Sequence, residues 1–210
     1  MPFGMVKPSP DCTASPNSGW LPMPVQVNGF AQVHVSGTGG GPKYGNILVT
    51  PFGKGLDSNK HIDYRKSEDI KLGYYSTTFQ NSGIKTEITT AHRASFYKFT
   101  YPKDSLKSLM IDAGFFLGES PIPDAREAQQ FIGSEIKIVS DTQVEGYTRI
   151  RGGWNNGKAY TVYFFAQTDR PFVDWKTWKG DQISKEAIQF DSYQKTGALL
   201  RFANNDSVVN

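Results

Sequence analysis

An all-β fold, built as a large antiparallel β-sandwich, is what this sequence predicts, and three observations carry the expectation. The run from Gly73 to Pro102, GYYSTTFQNSGIKTEITTAHRASFYKFTYP, reads as consecutive strands with turn residues between them. The 21 glycines and 12 prolines of the 210-residue chain are scattered rather than clustered, the mark of many short strands joined by tight turns. Helix-type signals are confined to one or two turns around Pro123–Gln130, where Asp124 can cap and Ala125, Glu127 and Ala128 favour helix.

Each element has its own reason. Gly73–Phe79 and Lys85–Ala91 flank an Asn81-Ser82-Gly83 turn, and Ser95–Tyr101 alternates aromatic and polar residues until Pro102, which has no N–H to give a ladder. Phe30–Val35 is a short strand running into the glycines at 37, 39, 40 and 41. Further strands are expected at Asn46–Thr50, Leu106–Asp112, Glu135–Ser140, Gln143–Arg151, Ala159–Gln167 and Ala198–Ala203, each rich in β-branched or aromatic residues. Val144, Gly146, Thr148 and Ile150 share one face of their strand, and Glu145, Tyr147, Arg149 and Arg151 the other. Antiparallel strands in this number need a second sheet over their apolar face, hence the sandwich.

Composition narrows function. A net charge of +3, with Lys and Arg spread without a basic run, argues against nucleic acid as a partner. Cys12 is the single cysteine, so no internal disulfide forms. No apolar run approaches the ~20 residues of a membrane helix. The opening MPFGMVKPSP has neither the basic nor the apolar region of a signal peptide.

The residues that could carry chemistry are few. Gly29–Gly40, GFAQVHVSGTGG, is a strand entering a glycine-rich loop where a ligand or another backbone can approach closely; a tight turn without ligand fits equally. It is no phosphate loop, having neither a Gly-Lys-Ser/Thr ending nor a following helix. His34 reads as a hydrogen-bonded structural residue or a site residue, and with His61 and His92 it makes no metal-ligand pattern. Trp20, set among Pro, Ser, Asn and Gly, suits either an exposed site wall or the core. Trp175 and Trp178 fit a packed β-edge or a sugar-binding surface patch. Glycoside hydrolysis needs two carboxyl groups ~6.5–9.5 Å apart for inversion or ~5–5.5 Å for retention. Neither Asp112, Glu119 nor Glu87 can be assigned to such a pair.

The Gly73–Pro102 run resembles a GYYSV–GI–ELTAT–R–HRYTFP order that recurs in glycoside hydrolase family 92, the calcium-dependent exo-α-mannosidases. Gly29–Gly40 resembles that family's GFSHTHLSGTG segment, Pro2-Phe3-Gly4-Met5 its PFGM, and Gly197-Ala198-Leu199-Leu200 its late GA-L-F strand. Gly152-Gly153-Trp154 and Val162–Phe165 are similar to scaffold segments. The resemblance implies that residues 1–210 are the N-terminal β-sandwich domain, cut at both ends, with the catalytic (α/α)₆ domain absent from the chain. It implies an intact inverting enzyme that acts on terminal α-mannose, with acid, base and calcium on the helical domain, so that no catalytic or metal residue carries over and the isolated chain is inactive. It implies substrate-binding roles for Trp20, Gln32, His34, Gly37, Thr38 and Gly39, although Gln32 stands where the family has its first histidine. It also implies that His34→Ala should spare folding stability. The partners implied are the helical domain and α-mannoside glycans, and the place periplasmic or extracellular. The competing reading is a non-catalytic carbohydrate-binding or purely structural sandwich.

Overall fold

The computed structural model describes residues 6–12, 20, 22, 26–34, 44–119, 128–153 and 157–210. Among them are sixteen strands and no helix. In chain order the first eight are β1 (Ser9–Cys12), β2 (Gln26–His34), β3 (Tyr44–Phe52), β4 (Asp63–Lys71), β5 (Tyr74–Phe79), β6 (Lys85–Thr90), β7 (Ser95–Thr100) and β8 (Ser108–Asp112). Then come β9 (Gln129–Ile138), β10 (Gln143–Gly152), β11 (Tyr160–Gln167), β12 (Phe172–Lys179), β13 (Gln182–Ser184), β14 (Ile188–Asp191), β15 (Thr196–Phe202) and β16 (Val208–Val209). The helix expected at Pro123–Gln130 falls largely outside the described residues; its last two residues open β9.

Twelve strands form one sheet in the order β13-β12-β15-β8-β3-β2-β4-β5-β6-β7-β16, with β1 added on β2. The remaining four form a second sheet, β11-β10-β9-β14. Every pairing between named strands is antiparallel. The large sheet is thinnest where β2 meets β4, a ladder of just Gln26↔Tyr64 and Val27↔Asp63. Its two halves are instead joined through side chains: Phe30 on β2 is fully buried, 6.1–6.2 Å from the rings of Tyr75, Phe79 and Tyr97. Truncating an aromatic residue so placed costs about 3–5 kcal/mol.

The main core lies between the two sheets, with Ile47, Leu109, Ile111, Leu200 and Phe202 facing Ile136, Val144 and Phe164. The alternation read in Val144–Arg151 holds: Val144, Gly146, Thr148 and Ile150 are buried and their neighbours are not. A second core of Ala31, Leu48, Phe52, Leu56, Met110, Trp178 and Leu199 covers the opposite face of β3, β8 and β15. Those strands are therefore buried on both faces, including polar residues such as Asn46, Thr50, Ser108 and Thr196. Gly197 makes the second core possible, since a Cβ there would lie 2.1 Å from the Trp178 ring. The Asn81-Ser82-Gly83 turn forms as expected, with Gly83 at φ 69° and its N–H donating to Phe79 O at 3.1 Å.

Candidate functional site

β1 organises the residues singled out by sequence. Ser9 and Asp11 sit on it, opposite Ala31 and Gly29 of β2. Asp11 Oδ2 accepts the Ala31 N–H at 2.8 Å, and its Oδ1 lies 2.9 Å from His34 Nε2. His34 Nδ1 lies 2.8 Å from Lys7 O. An ionised carboxylate and a carbonyl only accept, so both ring nitrogens can donate together when the ring is protonated, and this setting favours the imidazolium form. Burial opposes that charge, but the Asp11 hydrogen bond and carboxylate charge, with the Lys7 carbonyl, outweigh it and raise the His34 pKa above its usual 6.5. The side chains of His34 and Asp11 are 1% and 2% exposed, so this is a buried ion pair closing the end of β2. The expectation that His34→Ala spares stability is therefore reversed, because the change would strand a buried carboxylate.

Trp20 is exposed and tied to the same strand, its backbone N–H donating to Ser9 Oγ at 2.8 Å. Its indole N–H points between the two oxygens of Glu68 on β4, at 3.1 and 3.2 Å. Glu68 also accepts from Arg65 at 2.7 Å and from the Tyr75 hydroxyl at 2.5 Å. The Arg65 guanidinium stands 5.8 Å from the Trp20 ring centroid, within cation–π range. Burial, reinforced by the bond to Glu68, pushes the Tyr75 hydroxyl far above its usual pKa, so it stays a donor. The indole is thereby fixed in orientation while 41% of the residue remains open to solvent. Such a half-open aromatic wall can pack against the C–H groups of a sugar.

Gln32 bridges β2 to β7. Its amide donates to Phe30 O at 2.8 Å and to the Tyr97 hydroxyl at 2.7 Å, and its carbonyl accepts from Ser95 Oγ at 2.8 Å. Both amide hydrogens are thus used within the protein. His34 pairs with Tyr44 across β2 and β3, so the glycine-rich segment joins these two strands; Gly37, Thr38 and Gly39 lie outside the described residues, as does Trp154.

Where that segment rejoins the sheet, Tyr44 and Ile47 adopt φ of 65° and 62°, conformations that cost side-chain-bearing residues ~1–3 kcal/mol each. A neutral polar network surrounds them: Tyr44 N–H donates to Gln129 Oε1 at 2.7 Å, and the Tyr160 hydroxyl to Asn46 Oδ1 at 3.2 Å. Burial raises the Tyr160 pKa to about 12, and Asn46 Nδ2 is buried with no partner among the described residues. Sequence reading missed this network and the Glu68 hub. The first joins residues more than eighty apart, and the second sits on a strand, DYRKSEDIK, with no apolar alternation to mark it.

Among the described residues the candidate acids do not gather. Asp112 is half-buried, with its Oδ1 enclosed, and this desolvation lifts its pKa to about 6. Glu119 pairs with Lys195 at 2.7 Å near the surface. Glu87 is engaged by Tyr74, Lys85 and its cross-strand neighbour Lys98, which together hold its pKa low. Among the described residues no group of three or more His, Cys, Asp or Glu side chains assembles that could hold a metal. Trp178 is buried in the second core and Trp175 half-buried beneath Lys185, which makes both part of the scaffold.

Two antiparallel sheets around a shared core, with one oriented surface tryptophan and glycine-rich connections, define an all-β sandwich domain. The chain belongs to the Glycosyl hydrolase family 92 N-terminal domain family, matched over residues 1–210. An "Uncharacterized secreted glycosidase" of Arthroderma benhamiae is 33% identical over 119 residues, covering 51% of this chain and 15% of that protein. The fold is similar to the family GH92 alpha-mannosidase BT3965 from Bacteroides thetaiotaomicron, with a TM-score of 0.81 at 21% identity over 96% of this chain and 28% of that one. It is also similar to the Family GH92 Inverting Mannosidase BT2199 of the same organism, with a TM-score of 0.72 at 20% identity over 99% of this chain and 27% of that one. The chain thus spans under a third of each of these relatives.

Proposed function

We propose that this chain serves as the N-terminal sandwich domain of an enzyme that removes terminal α-mannose from glycans. In this reading it braces a helical catalytic domain and lends that domain's cleft an aromatic wall. The family match over all 210 residues carries the reading, joined to a fold shared with about a quarter of each of two solved mannosidases. Trp20 supplies the wall, with Glu68 and Arg65 holding its plane. His34, Gln32 and the glycines 37 and 39 act with it, the first two by tying β2 to β1 and β7 so that the segment carrying Thr38 leaves the sheet at a fixed point. The acid, the base and the calcium belong to the helical part. The secreted relative favours a periplasmic or extracellular setting.

The test has two arms. The isolated chain should not turn over an aryl α-mannoside; turnover that is lost on mutating one of its own acids would overturn the reading. In the full-length polypeptide, Trp20→Ala should lower kcat/KM roughly ten- to a hundredfold, ~1–3 kcal/mol of transition-state binding. Full activity in that variant would remove Trp20 from the cleft.

A further inference from the structure

The hydrogen bonds around Trp20 divide unevenly between the two oxygens of Glu68. Its Oε1 accepts from Arg65 at 2.7 Å, from the Tyr75 hydroxyl at 2.5 Å and from the Trp20 indole at 3.1 Å. Its Oε2 has one partner among the described residues, the same indole N–H at 3.2 Å. An ionised carboxylate can accept about four bonds, so Oε1 is saturated while Oε2 has lone pairs to spare. The Glu68 side chain is 22% exposed, whereas that of Arg65, its ionic partner, is 4% exposed. The carboxylate is thus anchored on its buried side and open to solvent on the other.

The other polar groups singled out near Trp20 are already committed. Both ring nitrogens of His34 are engaged, by Lys7 O and Asp11. Gln32 uses its amide hydrogens on Phe30 O and Tyr97, and its carbonyl on Ser95. On the apolar side, Glu68 pairs with Thr77 and Ile70 with Tyr75, so Ile70 follows Glu68 on one face of β4, and it is exposed. A fixed acceptor therefore stands beside an open indole, with an open aliphatic side chain next along its own strand face.

We propose that Glu68 determines specificity at the Trp20 wall, its Oε2 accepting a hydroxyl hydrogen from the sugar that lies on the indole. The inference rests on the reading of Trp20 as a wall of the mannoside cleft. The sugar's C–H face packs on the ring while one hydroxyl at its rim donates to the carboxylate, a charge-assisted bond about twice as strong as a neutral one. Because a carboxylate only accepts, the position demands a donor. A sugar that is deoxygenated or methylated there loses the bond, and one carrying a phosphate or sulfate there is repelled as well. Arg65 and Tyr75 are positioning residues that act through Glu68.

The experiment measures kcat/KM of the full-length polypeptide on an aryl α-mannoside and on its analogues that each lack one hydroxyl. In the wild type, removing the contacted hydroxyl should cost roughly ten- to a hundredfold. Two variants test the source of that gap: Glu68→Gln, whose carbonyl is claimed by Arg65 and Tyr75, and Glu68→Met, which offers no strong acceptor. Each variant's ratio to wild type on a given substrate cancels that substrate's intrinsic reactivity. Loosening of the ring lowers every substrate alike, but loss of the acceptor spares the contacted analogue, so the gap should close to under ~threefold. Rates are taken where thermal unfolding shows the variant folded, and Glu68→Gln alone suffices if Glu68→Met does not fold. Equal losses on every substrate would make Glu68 a support for the ring and overturn this inference alone. A wild type that shows no gap, or a gap that survives in the variants, overturns it too. Full activity of Trp20→Ala would overturn the wall reading and this inference with it.

Discussion

His34→Ala should be among the costliest single changes at the surface-facing end of β2. In the folded chain Asp11 is buried, with one oxygen on the Ala31 N–H and the other on His34. Removing the imidazole leaves that second oxygen, and the Lys7 carbonyl, without their partner. Breaking one side of a buried ion pair costs about 3–5 kcal/mol. For a chain of this size each kcal/mol lowers Tm by about 2–4 °C, so a fall of roughly 6–20 °C is expected. The loss should also depend on pH. His34 holds its proton more tightly folded than unfolded, its pKa lying above 6.5. Its stabilisation is therefore complete below 6.5 and fades as pH rises through the folded value. His61 acts in the opposite sense: burial lowers its pKa, so it weakens the fold as pH falls below 6.5. Because His61 is present in both proteins, its effect cancels in the difference. Urea unfolding of wild type and variant from about pH 5.5 to pH 9 should give a gap that is widest at the acid end and narrows with rising pH. A gap below ~1 kcal/mol, or one flat across that range, would refute the charged-pair argument.

Other sites allow sharper or simpler checks. Lys107, 1% exposed, donates to the carbonyls of Pro102, Lys103 and Ser105; Lys107→Met should cost about 2–3 kcal/mol in thermal unfolding, against near zero for the exposed Lys103→Met. Gly197→Ala should destabilise by about 1–3 kcal/mol or prevent folding, since its Cβ would meet the Trp178 ring at 2.1 Å and Ile111 O at 2.5 Å; denaturant titration reads it directly. Glu68→Gln should loosen Trp20, so that indole fluorescence shifts to the red and quenches more readily, and should lower Tm because the buried Arg65 guanidinium loses its carboxylate; an unchanged spectrum would mean that Glu68 does not hold the ring.

The strands from β5 to β7 were legible because Gly73–Pro102 alternates and carries its turn residues in place, and the same holds for β10. β4 was not legible. It is charged along nearly its whole length, and it exists because β5 supplies a ladder for it. β14 and β16 are too short to show a period; pairing with β9 and β7 makes them strands. The Pro- and Gly-rich surroundings of Trp20 left exposure and core both open, and the Glu68 hub that orients it could not be read, because 48 residues separate the two.

By itself the sequence determined the fold class, most of the strands and the buried face of β10, because side-chain alternation and turn chemistry are local properties. The tertiary structure alone decided that His34 is buried against Asp11, and that Trp178 is core beneath Gly197. Periodicity reports which face a residue takes. It does not report which distant strand that face will meet, and charge state and burial both follow from that meeting.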